Sequence, residues 1–182
     1  RPRSNWLEQL LLAERISVEP RLLPGDPFER AKVIGLIAEL CAEAGFGWHR
    51  RVMMIERLLT DPTFGERERG IGQYLAKKYR HGTDSVSEST KRCEEIVATF
   101  AKLRSTGSDY LIGSSLTALD LAWATFAALI QPLSEDACPM KPLWRDLYTW
   151  MPILTPGNEV DALMSHRDWI YHGWLPLPVD LG

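Results

Sequence analysis

The sequence predicts an all-α chain, and three observations carry that prediction. Nearly every segment with a readable apolar period repeats at helical spacing. Helix-start signatures stand directly in front of several of those segments. No alternating strand pattern or hairpin signal of useful length lies between them. The 182 residues suffice for one well-cored domain. Apolar residues make up 45% and charged residues 25%, the ordinary composition of a packed globular chain.

Each element has its own justification. Ser4 and Asn5 precede Leu7, Leu10 and Leu11, one face of a short helix from about 5 to 16. "SVEPRLLPGDP" then holds three prolines in eleven residues and reads as a linker. At its end Asp26 is placed as N-cap, with Pro27 at the first helical position and Glu29 three residues after the cap. The run behind it sets Phe28, Ala31, Ile34, Ala38 and Cys41 on one face, and Gly45 supplies the stop. "GFGW" breaks the pattern and Trp48–Leu59 resumes it. "GERERG" (65–70), with its mixed charges, reads as a solvated loop, and residues 70–80 as a short helix carrying Ile71, Tyr74 and Leu75. "SVSE" at Ser85–Glu88 is a capping box, and the helix behind it aligns Cys93, Ile96 or Val97, Phe100 and Leu103. Short helices are expected near 142–151 and 159–170, followed by an extended tail with two prolines.

The segment Gly113–Ile130, "GSSLTALDLAWATFAALI", carries no charge after Asp120 and predicts a helix buried on every face. Such a helix still begins with unpartnered backbone N–H groups, and an unmet donor away from water costs about 1–3 kcal/mol. Thr117 as N-cap and Asp120 three residues later answer that need as a capping box, with Leu116 and Leu121 placed to close a hydrophobic staple.

Bulk properties exclude several classes of function. A net charge of −3 and a pI of about 5.8 lack the basic footprint of a nucleic-acid protein. The longest apolar run, the ten residues Leu121–Ile130, falls short of a membrane span, so no membrane partner is expected. Cys41, Cys93 and Cys138 are 52 and 45 residues apart, without a C-x-x-C or His/Cys cluster. Neither a disulfide framework nor a metal site is expected, and a reduced, cytoplasmic setting fits. "HRD" at His166–Asp168 lacks the other kinase signatures and is a chance match. His166 and His172 are six apart, which does not stack two metal ligands on one helix face. "GIG" at 70–72 lacks the rest of a nucleotide fingerprint.

"DYLIGSSLTALDLAWATFAAL" resembles the segment of the glutathione transferase family in which a glycine-containing loop leads into a buried capping-box helix. "ERISVEPRLLPGDPFERAKVIGLIAEL" is similar to the linker and first long helix of that family's helical C-terminal domain, and "SNWLEQLLLAER" to the last helix of its thioredoxin-like domain. The resemblance implies three parts. Residues 1–16 form the last helix of a mostly absent thioredoxin-like domain, 17–26 the linker, and 27–182 the helical domain. It implies a homodimer that conjugates glutathione to, or reduces with it, a small electrophile.

The residue that activates the thiol would lie in the absent domain, so no catalytic residue is expected in this chain. Ser4 and Asn5 stand where the family binds the γ-glutamyl end of glutathione, though its acidic residue is missing. In "GFGWHRRVMMIERL", Trp48, Arg50, Arg51 and Met54 are the candidates for the co-substrate pocket, beside a plainer reading as core Trp and Met with solvated Arg. His49 is expected at the surface or behind the pocket. The alternative function is a non-catalytic binding or assembly module of the same fold. Its interaction surface would be the face formed by Trp6, Leu7 and Leu10.

Overall fold

A computed structural model describes residues 4–17, 19–79, 82, 86–150 and 158–180. Among them are the α-helices α1 (Trp6–Ile16), α2 (Pro27–Cys41), α3 (Phe46–Thr60), α4 (Glu66–Lys78), α5 (Val86–Arg104), α6 (Ala118–Phe126), α7 (Pro142–Thr149) and α8 (Asn158–Trp174). A 3₁₀ turn, Ala127–Leu129, extends α6, and the described residues contain no strand. The all-α prediction holds.

Local chemistry starts the helices largely where the sequence placed them. Asn5 accepts from the Leu7 and Glu8 N–H groups at 2.9 and 3.4 Å and caps α1. Asp26 accepts from Phe28 and Glu29 at 3.0 and 2.8 Å, with Pro27 at the first position of α2. The "GERERG" reading is corrected: α4 begins at Glu66, and Glu68 accepts from the Gly65 N–H at 3.0 Å. Glu66 and Glu68 sit at the positive end of the helix dipole, which favours acidic residues there. Likewise "GFGW" opens α3 rather than breaking the helical run, which breaks earlier, with Gly45 as the cap of α3. Ser85 of the expected "SVSE" capping box lies outside the described residues, although α5 behind it runs as predicted and buries Cys93, Ile96, Val97 and Phe100.

The buried face of α2 is Val33, Ile37 and Leu40, not the one led by Phe28, which is 68% exposed beneath the Lys32 ammonium. The helix is apolar on more than one side, so its period alone does not select a face. Helix α1 buries no residue completely; Trp6, Leu10 and Leu11 are half-buried on the core of the chain. The candidate interaction face is therefore partly used by the fold itself.

Helix α6 lies in the centre, packed between α2 and α8, while α3 packs on α4 and α5. Trp123 of α6 is completely buried, stacks on Phe100 at 4.9 Å and donates to the Leu163 carbonyl at 3.2 Å. No helix among the described residues is long and apolar enough to cross a membrane.

The capping box of α6 forms, and it does more than cap. Oδ2 of Asp120 accepts from the Thr117 N–H at 2.9 Å and from its hydroxyl at 2.8 Å, while Thr117 Oγ1 accepts from the Leu119 N–H at 3.3 Å. Leu116 and Leu121 are half-buried partners of the same small cluster, that of Ala124, Ile170 and Tyr171. Oδ1 of Asp120 accepts from the Leu111 N–H at 2.9 Å and meets His166 Nε2 at 3.2 Å. Both Asp120 and His166 are fully buried at the side chain. Burial alone raises the Asp120 pKa, but the hydrogen bonds from His166, Leu111 and Thr117 outweigh it and hold the carboxyl below its ordinary range.

A depressed carboxyl pKa contributes stability above the unfolded value of about 3.9 and loses it as pH falls through the folded value. Asp120→Asn is expected to cost about 3 kcal/mol near neutral pH, because the amide cannot accept at all four contacts. Urea unfolding at several pH values checks this. The gap between the two proteins should be full above about pH 5 and shrink below about pH 4.

Candidate functional site

The chain from Leu129, the last residue of the 3₁₀ turn, through residue 141 continues without an α-helix, so its backbone carbonyls need partners from elsewhere. Three arginines from three helices supply them. Arg50 of α3 donates through Nε to the Leu129 carbonyl at 2.8 Å, Arg145 of α7 to Leu133 and Cys138, and Arg167 of α8 to Gln131. Arg50 also donates to the Leu147 carbonyl at 3.1 Å and to that of Trp150, at the end of α7. Burial pushes the Arg50 guanidinium down from its ordinary value to about 10, so it remains charged at neutral pH.

Beside this frame lies a half-open hollow of about 300 Å³, lined by Phe126, Ala128, Leu129, Leu133, Cys138 and Tyr171 among other residues. Among the described residues its lining holds a single charged side chain, Arg51. Arg51, Met140, Tyr148 and Val179 also line a wider outer hollow of about 630 Å³, together with Trp144, Lys141 and Asp180. The two form one groove with Arg51 at the join. The C-terminal tail borders it, held by the Val179 N–H donating to the Ala137 carbonyl at 2.7 Å. Volumes of this size suit a small molecule, and the lining is largely apolar and aromatic, with Arg51 shared by both hollows and Lys141 and Asp180 in the wider one.

Arg51 is half-buried and donates through Nη2 to the Tyr148 hydroxyl at 3.3 Å, with Cζ 6.0 Å from the Tyr148 ring centre. The ion pairs of the described residues do not include it. Of the four residues expected to line a pocket, Arg51 alone does so. Arg50 is completely buried in the frame behind it, which also replaces the solvated reading of that residue. Met54 is 2% exposed in the core, and Trp48 meets Tyr79 edge-on at 5.1 Å. His49 is buried, not at the surface, with Nδ1 3.1 Å from Ser89 Oγ.

At the other end of the chain, Ser4 is exposed and Asn5 is occupied as the cap of α1. The open depression beside α1, about 490 Å³, is lined mainly by charged side chains, Glu8, Glu14, Arg15, Arg21 and Arg30, with Leu11. Thr117 and Asp120 form the buried junction described above, distant from the groove along α6. Cys41 and Cys93 are poor nucleophiles, since burial pushes their thiols up to about 11 and about 12.

The sequence reading missed the groove lining on 126–148, apart from Arg51, because those residues lie on separate elements and share no local motif. It also missed His166 as a partner of Asp120. No protein-family model, curated protein or solved structure matches the chain.

Two substitutions test the construction. Arg50→Met should cost about 3 kcal/mol in chemical unfolding, since it strips three buried carbonyls of their donor. Gly47 lies so close to Phe126 that an added Cβ would sit 2.6 Å from Cε1 of the ring. Gly47→Ala should therefore cost about 1–3 kcal/mol and push the ring into the groove. Urea unfolding reads both stability costs, and weaker uptake of an apolar fluorescent probe reads the displaced ring.

Proposed function

We propose that this chain is the helical domain of a glutathione-transferase-like protein and that its groove receives the small electrophilic co-substrate. Glutathione would enter as a substrate held mainly by a thioredoxin-like domain, where its thiol is activated. The helical domain would contribute the apolar pocket and the surface of a homodimer. The observation that carries the reading is α6: a centrally buried helix, headed by the Thr117–Asp120 box and tied to the proline-rich linker where the Ala118 N–H donates to the Leu22 carbonyl at 2.7 Å. That combination, behind an Asp-Pro-capped α2, is the feature on which the resemblance rests.

A second reading, a non-catalytic ligand-binding module, is favoured by the position of the groove. It opens at the Phe126 end of α6, about 12 Å along the helix from the linker contact. Every lining residue belongs to the helical part of the chain, so occupancy there requires no other domain.

Calorimetric titration of the natural protein with glutathione, paired with a conjugation assay on a chloronitrobenzene, separates the readings. Glutathione binding with turnover is the expected result for a transferase. A protein that ignores glutathione yet takes up an apolar probe is a binding module. One that does neither contradicts both.

A further inference from the structure

We infer that the groove selects an apolar molecule bearing an anionic head, a medium-chain or aryl carboxylate, with its charge seated on Arg51. The inference rests on reading the groove as a small-molecule pocket and adds the chemistry of its occupant.

Neighbouring arginines are consumed by structure: Arg50, Arg145 and Arg167 donate to backbone carbonyls, Arg145 and Arg167 also pair with Glu135 and Asp168, and Arg57 pairs with Asp61 and Asp146. Arg51 stabilises no carbonyl among the described residues. Its partner is a neutral phenol at 3.3 Å, which leaves most of its five donors for a ligand. A guanidinium presents a planar fork that matches a carboxylate in a two-point contact.

The inner hollow fixes the other half of the ligand. Beyond Arg51 it offers no charge, only the aliphatic and aromatic walls of Phe126, Ala128, Leu129 and Leu133, with Tyr171 and Cys138. Its volume of about 300 Å³ admits a chain of several carbons or one ring system. Arg51 stands at the join between this hollow and the open one, so a carboxylate there places its tail inward. Tyr148, its hydroxyl already aligned by Arg51, can donate its proton to the same carboxylate. Lys141 adds positive charge at the exposed outer part, where Asp180 is the one carboxylate among the described lining residues. The anionic head therefore belongs at Arg51 rather than further out.

The test is calorimetric titration of the full chain with octanoate and with octan-1-ol, which share a tail and differ in charge. Octanoate should bind about tenfold tighter or better, as expected for a two-point charge-assisted contact. Arg51→Met, which keeps the apolar stem, should abolish the preference and leave octanol binding unchanged. Arg51 is half-buried and outside the core, and a thermal unfolding curve like that of the parent confirms the fold of the variant. Ala128→Leu, which fills the inner hollow, should weaken both ligands. Equal binding of octanoate and octanol overturns the charge assignment while keeping the pocket. A preference that survives Arg51→Met overturns the role of Arg51. If neither ligand binds, the pocket reading and the inference fall together.

Discussion

One buried carboxylate ties three separate parts of the chain together. Asp120 has no contact with water, and a carboxylate in that position is tolerated only if its oxygens are met by donors. It is met by four: the backbone and hydroxyl of Thr117, the backbone of Leu111, and the ring of His166. These donors come from the head of α6, the loop that follows α5, and the middle of α8. Satisfying one charge thus fixes three parts of the chain relative to one another. A neutral residue at this position would relax that requirement and let the parts shift independently.

The same logic, with signs reversed, builds the groove. The chain beyond the 3₁₀ turn that extends α6 leaves backbone carbonyls without helical partners, and arginines answer them, Arg50 and Arg167 from buried positions and Arg145 from a half-buried one. Arg50 is the most constrained, reaching Leu129, Leu147 and Trp150 from inside the core. An arginine fork can bridge acceptors on two elements at once, which no apolar side chain can do. Rigid walls follow from these bonds. Arg51, one residue along α3, points to the other side of the frame and is left with a phenol. Two adjacent arginines on one helix thereby take opposite parts, one as structure and the other as the polar feature of a pocket.

How much of this could be read from the residues depends on the range of each interaction. The Thr117–Asp120 capping box and the Asp26–Pro27 start were legible because their partners lie two or three positions apart. The α6 core was legible in part. Leu119, Trp123 and Ala124 are buried, as an uncharged segment suggests. Thr125 is exposed and Leu121, Ala122 and Phe126 are half-buried, which corrects the expectation of a helix buried on every face. Contacts of long range were not. His166 lies 46 positions from Asp120, and nothing in "SHRDW" marks a histidine aimed at a carboxylate. Arg50 and Arg51 look alike in sequence, since the acceptors that distinguish them are backbone carbonyls some 80 to 100 positions away, which leave no side-chain signature. The start of α4 was a different case. Its two glutamates after Gly65 were visible, but their mixed charge suggested a loop, whereas the helix dipole makes the same acids a start signal.

The claim that the Asp120 junction holds the domain together is tested most directly by native-state hydrogen exchange at two amides, Leu111 and Thr117. Both donate to the carboxylate within a buried site. If the junction anchors the fold, both should exchange only through global unfolding, with protection equal to the unfolding free energy measured by denaturant. Exchange of either amide at much lower cost, through local opening while α6 stays protected, would contradict the account.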